Sequence, residues 1–273
     1  MYWGVGGNVK KNPMKTNEDV IKELVETGAD ISGGIAGSVI GGLIAGPVGL
    51  IIGGASGPIL TRVFKKIGQE IKLRYISPRE EIRIGASFTF AIHKLQDNLQ
   101  NGSQIRTDQF FDANENDRSG SEEILEGIIL GAQKEYEERK VKYLGNLYAN
   151  ICTNSKISRE QANQLIKTIN NLSYRQLCII QLLKESKNDP LNPTKTDDFK
   201  IEQHDVMIEI RDMQHKGLLS IVWRLMDIND DSAPIPINDI NITDSGLLFC
   251  ETLSLDDIPK IEIDELNKII NLK

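Results

Sequence analysis

The chain has 273 residues and a mass of 30.5 kDa, ample for a substantial core and one or two modest domains. With 40% apolar and 26% charged residues it is neither a disordered tail nor collagen-like. Its 32 Lys and Arg against 39 Asp and Glu leave a net charge of −7, which argues against a general nucleic-acid coat.

The opening residues, MYWGVGGNVKKNPMK, lack the apolar core of a secretory signal, so export is not expected. From Ile31 to Thr61 there is no charged residue, and ten of the thirty residues Ile31–Leu60 are glycine. Eight of them form three zippers: Gly33, Gly37 and Gly41; Gly42 and Gly46; Gly49, Gly53 and Gly57. Each glycine inside a water-exposed helix costs about 1 kcal/mol relative to alanine, so this density needs a compensating reason. Small residues every fourth position let helix backbones approach closely, the way helices associate in lipid. Gly46-Pro47 divides the segment into two arms of about fifteen residues, ~22 Å each as helix, too short for a ~30 Å hydrocarbon core. Unbroken, it would reach ~45 Å and could cross with tilt or a kink. Twelve Ile, Leu and Val residues favour insertion by about 4 to 7 kcal/mol before the glycine cost. The balance predicts conditional insertion coupled to oligomerisation, and a helical hairpin as the local structure. The competing reading is a soluble hairpin in which the arm after Pro47 folds back on the first.

Basic residues flank this stretch: Lys10, Lys11, Lys15 and Lys22 before it, and Arg62, Lys65, Lys66, Lys72 and Arg74 after it. The second group is expected to meet anionic lipid headgroups, at about 1 kcal/mol per residue near the surface. If one end crosses, this more basic flank stays cytoplasmic; if neither does, the segment forms a shallow hairpin.

Downstream, the sequence reads as mainly helical. Ser77-Pro78-Arg79-Glu80 is a capping box with proline at the first helical position, and its helix should end near Asn101-Gly102. A polar loop follows, with Phe110 and Phe111 expected to anchor it to the core. Ser119 then opens a helix expected to run to about Cys152. Its apolar stripe is Leu125, Ile128, Ala132, Tyr136, Tyr143, Leu147 and Ile151, with Glu135–Arg139 and Glu138–Lys142 as i, i+4 pairs on its wet face. Boxes at Ser158 and Ser173 open two shorter helices.

The last hundred residues differ in charge, with 11 basic against 19 acidic groups. A buried helix, a Pro/Asn-containing loop, a helix over about Glu202–Lys216, the apolar run LLSIVWRLM, a turn with Pro234 and Pro236, and ITDSGLLFCETL follow in order. Helices, strand, turn, strand and short helix in this order resemble a winged-helix domain. The Glu202–Lys216 helix carries Glu202, Asp205, Glu209 and Asp212, and would be repelled by the phosphates of a DNA groove. A protein-docking module is the expectation.

Signatures of enzymatic chemistry are absent from the sequence. No phosphate-binding G-x-x-x-x-G-K-[ST], H-E-x-x-H or C-x-x-C occurs, and Gly4-Val-Gly6-Gly7 fails the dinucleotide pattern. Glu80/Glu81 and Glu122/Glu123 suit first helical turns. His93 reads as a structural histidine; His204 and His215, eleven apart, make a poor metal pair. Cys152, Cys178 and Cys250 are too few and too scattered for a disulfide framework or structural zinc, and fit a reducing compartment. No catalytic residue, metal or cofactor is expected.

The block EILEGIILGAQKEYEERKVKYLGNLYANICTNSKISREQANQLIKTINNLSYRQLCIIQLLKES, followed by KGLLSIV and ITDSGLLF, resembles the Abi-alpha family of prokaryotic abortive-infection proteins. The likeness covers about residues 120–225 and lies in the order of packing elements; the polar insert at 102–119 departs from it. The resemblance implies a non-enzymatic anti-phage effector acting at the inner membrane and restrained by a partner sensor, which in some related systems looks like a short Argonaute. The chain is thus expected to comprise a glycine-zipper segment with basic flanks (1–75), a helical scaffold (76–172) and a winged-helix-like docking domain (173–273). It should be cytoplasmic, membrane-associating and homo-oligomeric, with no direct nucleic-acid contact. The alternatives are a soluble adaptor whose glycine hairpin packs within a complex and, resting on the winged helix alone, a transcriptional regulator.

Overall fold

The computed structural model describes residues 57–113, 118–188, 200–201, 204–222, 235–236 and 239–271. Among these residues the chain is mainly α-helical, with nine α-helices and two small antiparallel strand pairs. In chain order they are α1 (Gly57–Lys72), α2 (Pro78–Gln100), α3 (Gly120–Lys134), α4 (Lys140–Cys152), α5 (Arg159–Asn170), α6 (Tyr174–Asn188), β1 (Lys200–Ile201), α7 (His204–His215), β2 (Leu219–Ile221), β3 (Ile235–Pro236), β4 (Ile240–Ile242), α8 (Asp244–Leu253) and α9 (Lys260–Asn271).

The spine is the α2–α4 pair. Every residue from Ile84 to Ile92 is buried, as is nearly all of α4, so neither helix presents the single apolar face of a surface helix. They meet at Gly145, where an added Cβ would lie 2.7 Å from both the Phe90 Cβ and the Ser87 carbonyl oxygen. Only glycine permits that approach. The predicted start of α2 is present in full: Ser77 accepts from the Glu80 N–H, and the Glu80 carboxylate accepts from the Ser77 N–H. Those hydrogen bonds, the Ser77 hydroxyl first among them, bring the Glu80 carboxyl down to about 2. The Ser158 box opens α5 in the same way, and Ser173 and Gln176 exchange the same bonds at α6.

The loop before α3 is fixed by packing. Phe110 and Phe111 are buried, and the Arg106 guanidinium lies 4.3 Å from the Phe110 ring centroid while bonding Asp108 and the Ile157 carbonyl.

The single helix expected from Ser119 to Cys152 is two. The break falls at Glu135–Arg139, where Glu135 takes extended backbone angles (φ −71°, ψ 118°). Glu135 is not on a wet face: Oε2 lies 2.6 Å from the Lys140 ammonium, the two side chains being 6% and 3% exposed, and Oε1 accepts from the Glu137 N–H. Neither expected i, i+4 pair forms. Arg139 pairs with Glu262 at 3.0 Å, Glu138 with Arg79, and Lys142 donates to the Asp257 carbonyl. Tyr136, placed by periodicity in the buried stripe, is 84% exposed. Tertiary partners drawn from α2, from α9 and from Asp257 before it displace the local helical preference.

In the C-terminal region β2 pairs with β4 (Leu219 opposite Ile242) and β1 with β3 (Ile201 opposite Ile235). Helix α7 stops at Gly217, whose φ of +75° suits glycine, with the Leu218 N–H bonded back to the Met213 carbonyl. Thr243 caps α8 through the Gly246 N–H. This region is stitched to α4 by carboxamides. Asn146 donates to the Leu253 carbonyl, and Asn150 to the Thr252 carbonyl and the Ser254 hydroxyl. Helix α9, buried through Ile263, Leu266 and Ile270, has no counterpart in the sequence reading.

Candidate functional site

The zipper residues Gly33, Gly37, Gly41, Gly42, Gly46, Pro47, Gly49 and Gly53 lie outside the described residues. Gly57 is the first residue of α1 and is buried, its carbonyl accepting from the Thr61 hydroxyl at 2.7 Å. Helix α1 is therefore the point at which the charge-free stretch joins the folded body.

Spacing makes α1 strongly two-faced: Leu60, Val63, Phe64, Ile67 and Ile71 are between 0% and 2% exposed. Phe64 is its central anchor, edge-on to Tyr148 at 5.5 Å and tilted against Phe88 at 5.7 Å. The Tyr148 hydroxyl shares a 2.7 Å hydrogen bond with Ser121, and complete burial pushes it well above the ordinary tyrosine range.

The basic residues on α1 and just beyond it are largely committed to the body. Lys66 pairs with the buried Glu122 at 2.6 Å, Arg62 donates to the Phe111 carbonyl at 3.1 Å, and Arg74 pairs with Glu126. Arg118 adds a bridge from Glu126 to Glu70. Partial burial pushes the Glu126 carboxyl up, but the Arg74 hydrogen bond and the two guanidinium charges outweigh it and hold it below the usual carboxylate range. Of the five residues expected at lipid headgroups, only Lys65 and Lys72 lack a polar partner among the described residues. Two large apolar residues beside Lys72 face solvent, Leu73 at 89% and Tyr75 fully exposed. The acidic side of this clamp was not evident in the sequence: Glu122 reads there only as a first-turn carboxylate, and nothing in the chain pairs it with a lysine 56 positions away.

The other candidates fall into structural roles. His93 pairs with Asp97 at 3.1 Å, and His204 and His215 are exposed at the two ends of α7. Glu123 binds Arg159 and Asn163. Burial pushes the thiols of Cys152, Cys178 and Cys250 up to about 12. Among the described residues no group of three or more His, Cys, Asp or Glu is placed to hold a metal ion, and no helix is long and apolar enough to cross a membrane.

Helix α7 turns Val206, Met207, Ile210 and Met213 inward and leaves His204, Asp205, Ile208 and His215 outside. Hydrogen bonding to Arg175 holds Asp205 below the usual carboxylate range, and Arg175 also grips Glu209 at 2.8 Å. The exposed face thus carries Asp205 and Ile208 between two histidines, and its cations Arg175 and Lys216 are already paired with Asp205, Glu209 and Asp212, a poor match for phosphates. Comparison with protein families, with curated proteins and with solved structures finds no match for this chain.

Proposed function

We propose that the chain is a non-enzymatic effector of a prokaryotic anti-phage abortive-infection system, whose glycine-rich segment enters or permeabilises the inner membrane once a partner sensor releases or clusters it. The observation that carries this reading is a junction. An uncharged, glycine-studded stretch continues in sequence into a helix fastened to a helical body by five buried apolar side chains and a set of ion pairs. In this reading the body is a mount, and the zipper residues supply close helix packing in lipid, in homo-oligomeric form. Lys65 and Lys72 are the first headgroup ligands; Arg62, Lys66 and Arg74 join them only if α1 leaves the body.

The C-terminal elements α6, α7, β2, β4 and α8 follow a winged-helix-like order, and we read them as a docking module for the sensor. Their support is the outer face of α7, where Ile208 is exposed and the cations are already committed to carboxylates, which suits a protein partner better than a nucleic acid.

Liposome leakage tests the reading. The chain, added together with its co-purifying partner, should release dye from vesicles containing anionic lipid, Gly37→Leu and Gly41→Leu should fold and leave them sealed, and expressing cells should depolarise with their DNA and RNA intact. Leakage unchanged in both variants would overturn it. The second reading, a soluble adaptor, is favoured by the engagement of Arg62, Lys66 and Arg74 within the body; it requires the wild type to stay in the soluble fraction and all vesicles to stay sealed.

A further inference from the structure

The outer side of α1 is charged unevenly. Residues 57–76 hold five cations, Arg62, Lys65, Lys66, Lys72 and Arg74, against one carboxylate, Glu70, in a chain whose net charge is −7. Ile59, Arg62, Lys65, Gln69 and Lys72 follow at three- and four-residue spacings, with Leu73 four beyond Gln69, so they share the side of the helix away from its buried face. The carboxylates that answer these cations are recessed. The Lys66 side chain is 43% exposed and its partner Glu122 only 3%; Arg74 is 36% exposed and Glu126 21%. Glu70 is tied to Arg118. The field above the helix is therefore positive even with every one of these pairs closed.

Apolar groups stand at both ends of this side. Ile59 is 41% exposed in the first turn, and the exposed Leu73 and Tyr75 come just past the last, about 21 Å along. The phosphates of a nucleic acid would use the cations and leave the leucine and tyrosine in water. A bilayer interface uses both, because headgroups take the cations while the boundary with the acyl chains takes apolar and tyrosine side chains. Gly57, where the charge-free stretch joins, is at one end of the same helix, so a flat α1 brings that stretch to the lipid.

We propose that the outer side of α1 is a foothold for an anionic bilayer surface. The helix lies flat on the leaflet, Lys65 and Lys72 bind headgroups, Leu73 and Tyr75 enter the interface, and the ion pairs to Glu122 and Glu126 stay closed. This rests on the membrane reading above and adds that the folded body binds lipid by itself, before the glycine-rich segment enters.

Flotation of the full chain, without a partner, tests it on vesicles of phosphatidylglycerol with phosphatidylcholine and on vesicles of phosphatidylcholine alone. The wild type should float with the anionic vesicles, stay behind with the neutral ones, and lose binding as salt rises. Lys65→Gln with Lys72→Gln should weaken binding about thirtyfold, the worth of two lysines near a charged surface. Leu73→Ser with Tyr75→Ser should weaken it about tenfold. All four side chains lie outside the core, so both double variants should keep the wild-type melting temperature. Loss of flotation in both, with vesicles that stay sealed even when the partner is added, leaves the foothold standing and removes permeabilisation. Dye leakage accompanied by wild-type flotation in both double variants overturns the foothold alone. No flotation of the wild type, or equal flotation with neutral vesicles, also overturns it. So does a change from dimer to monomer in the serine variant with flotation unchanged, which would assign Leu73 and Tyr75 to a contact between two copies of the chain.

Discussion

Gly145→Ala sets two effects of opposite sign against each other on the same residue. Helix propensity favours alanine over glycine by about 1 kcal/mol in a helix interior. Packing opposes it. The new Cβ would sit 2.7 Å from the Phe90 Cβ and the Ser87 carbonyl oxygen, and 2.8 Å from the Ala91 nitrogen. None of these atoms can swing away by changing a rotamer, so α2 and α4 must move apart by about 1 Å to restore contacts near 3.5–4 Å. That movement loosens a helix pair in which Phe88, Ile92, Leu144 and Tyr148 are at most 1% exposed. Overpacking of a well-filled core costs about 1–3 kcal/mol, and a clash against backbone belongs at or above the top of that range. The net expectation is a destabilisation of about 2 kcal/mol. At about 2–4 °C per kcal/mol for a body of this size, the melting temperature should fall by roughly 4–8 °C. Urea unfolding followed by far-UV circular dichroism measures the free energy directly. A variant as stable as the wild type, or more so, would refute the claim that the spine is set by backbone contact at this residue.

Two further outcomes probe the mount. Phe64→Ala empties the space between Phe88 and Tyr148 and should cost about 3–5 kcal/mol, with limited proteolysis cutting within α1 well before the spine; protection equal to the wild type would count against α1 as a packed element. The clamp should also be acid-sensitive. The Glu126 carboxyl lies below its unfolded value, so its contribution is complete above the ordinary carboxylate pKa of about 4.3 and is lost as pH falls through the folded value. Stability measured between pH 6 and pH 3 should therefore decline less steeply in Glu126→Gln than in the wild type, and parallel curves would show that the carboxylate does not couple to folding.

Where a signal was local, the sequence carried it. Ser77, Ser158 and Ser173 each announce a helix because both halves of a capping box lie within four residues, and Phe110 and Phe111 stand out as the apolar pair in a polar loop. The 135–139 break had no such signal. The stretch combines good helix formers with favourable i, i+4 charges, and only the buried Lys140–Glu135 pair and the Arg79–Glu138 bridge explain why it turns. Helix α9 is obscured by Ile261 and Ile263, which alternate as in a strand while only the second is buried. The clamp on α1 was half legible: its basic residues were visible as a cluster, but their acidic partners, Glu122 and Glu126, come from α3, and the sequence pattern favoured lipid as the counter-charge.

Helices α1 and α3 run in the same direction, for Lys66 meets Glu122 and Arg74, further along, meets Glu126. A pull on the chain at Gly57 along that shared axis would load the aromatic anchor and all the ionic ties in shear, so that they resist together. A pull away from the body would instead peel them in succession, Arg62 from the Phe111 carbonyl first, then Lys66, and Arg74 last. The attachment is therefore stiff to tension in one direction and yields stepwise in the other, which gives the body a mechanical polarity at Gly57.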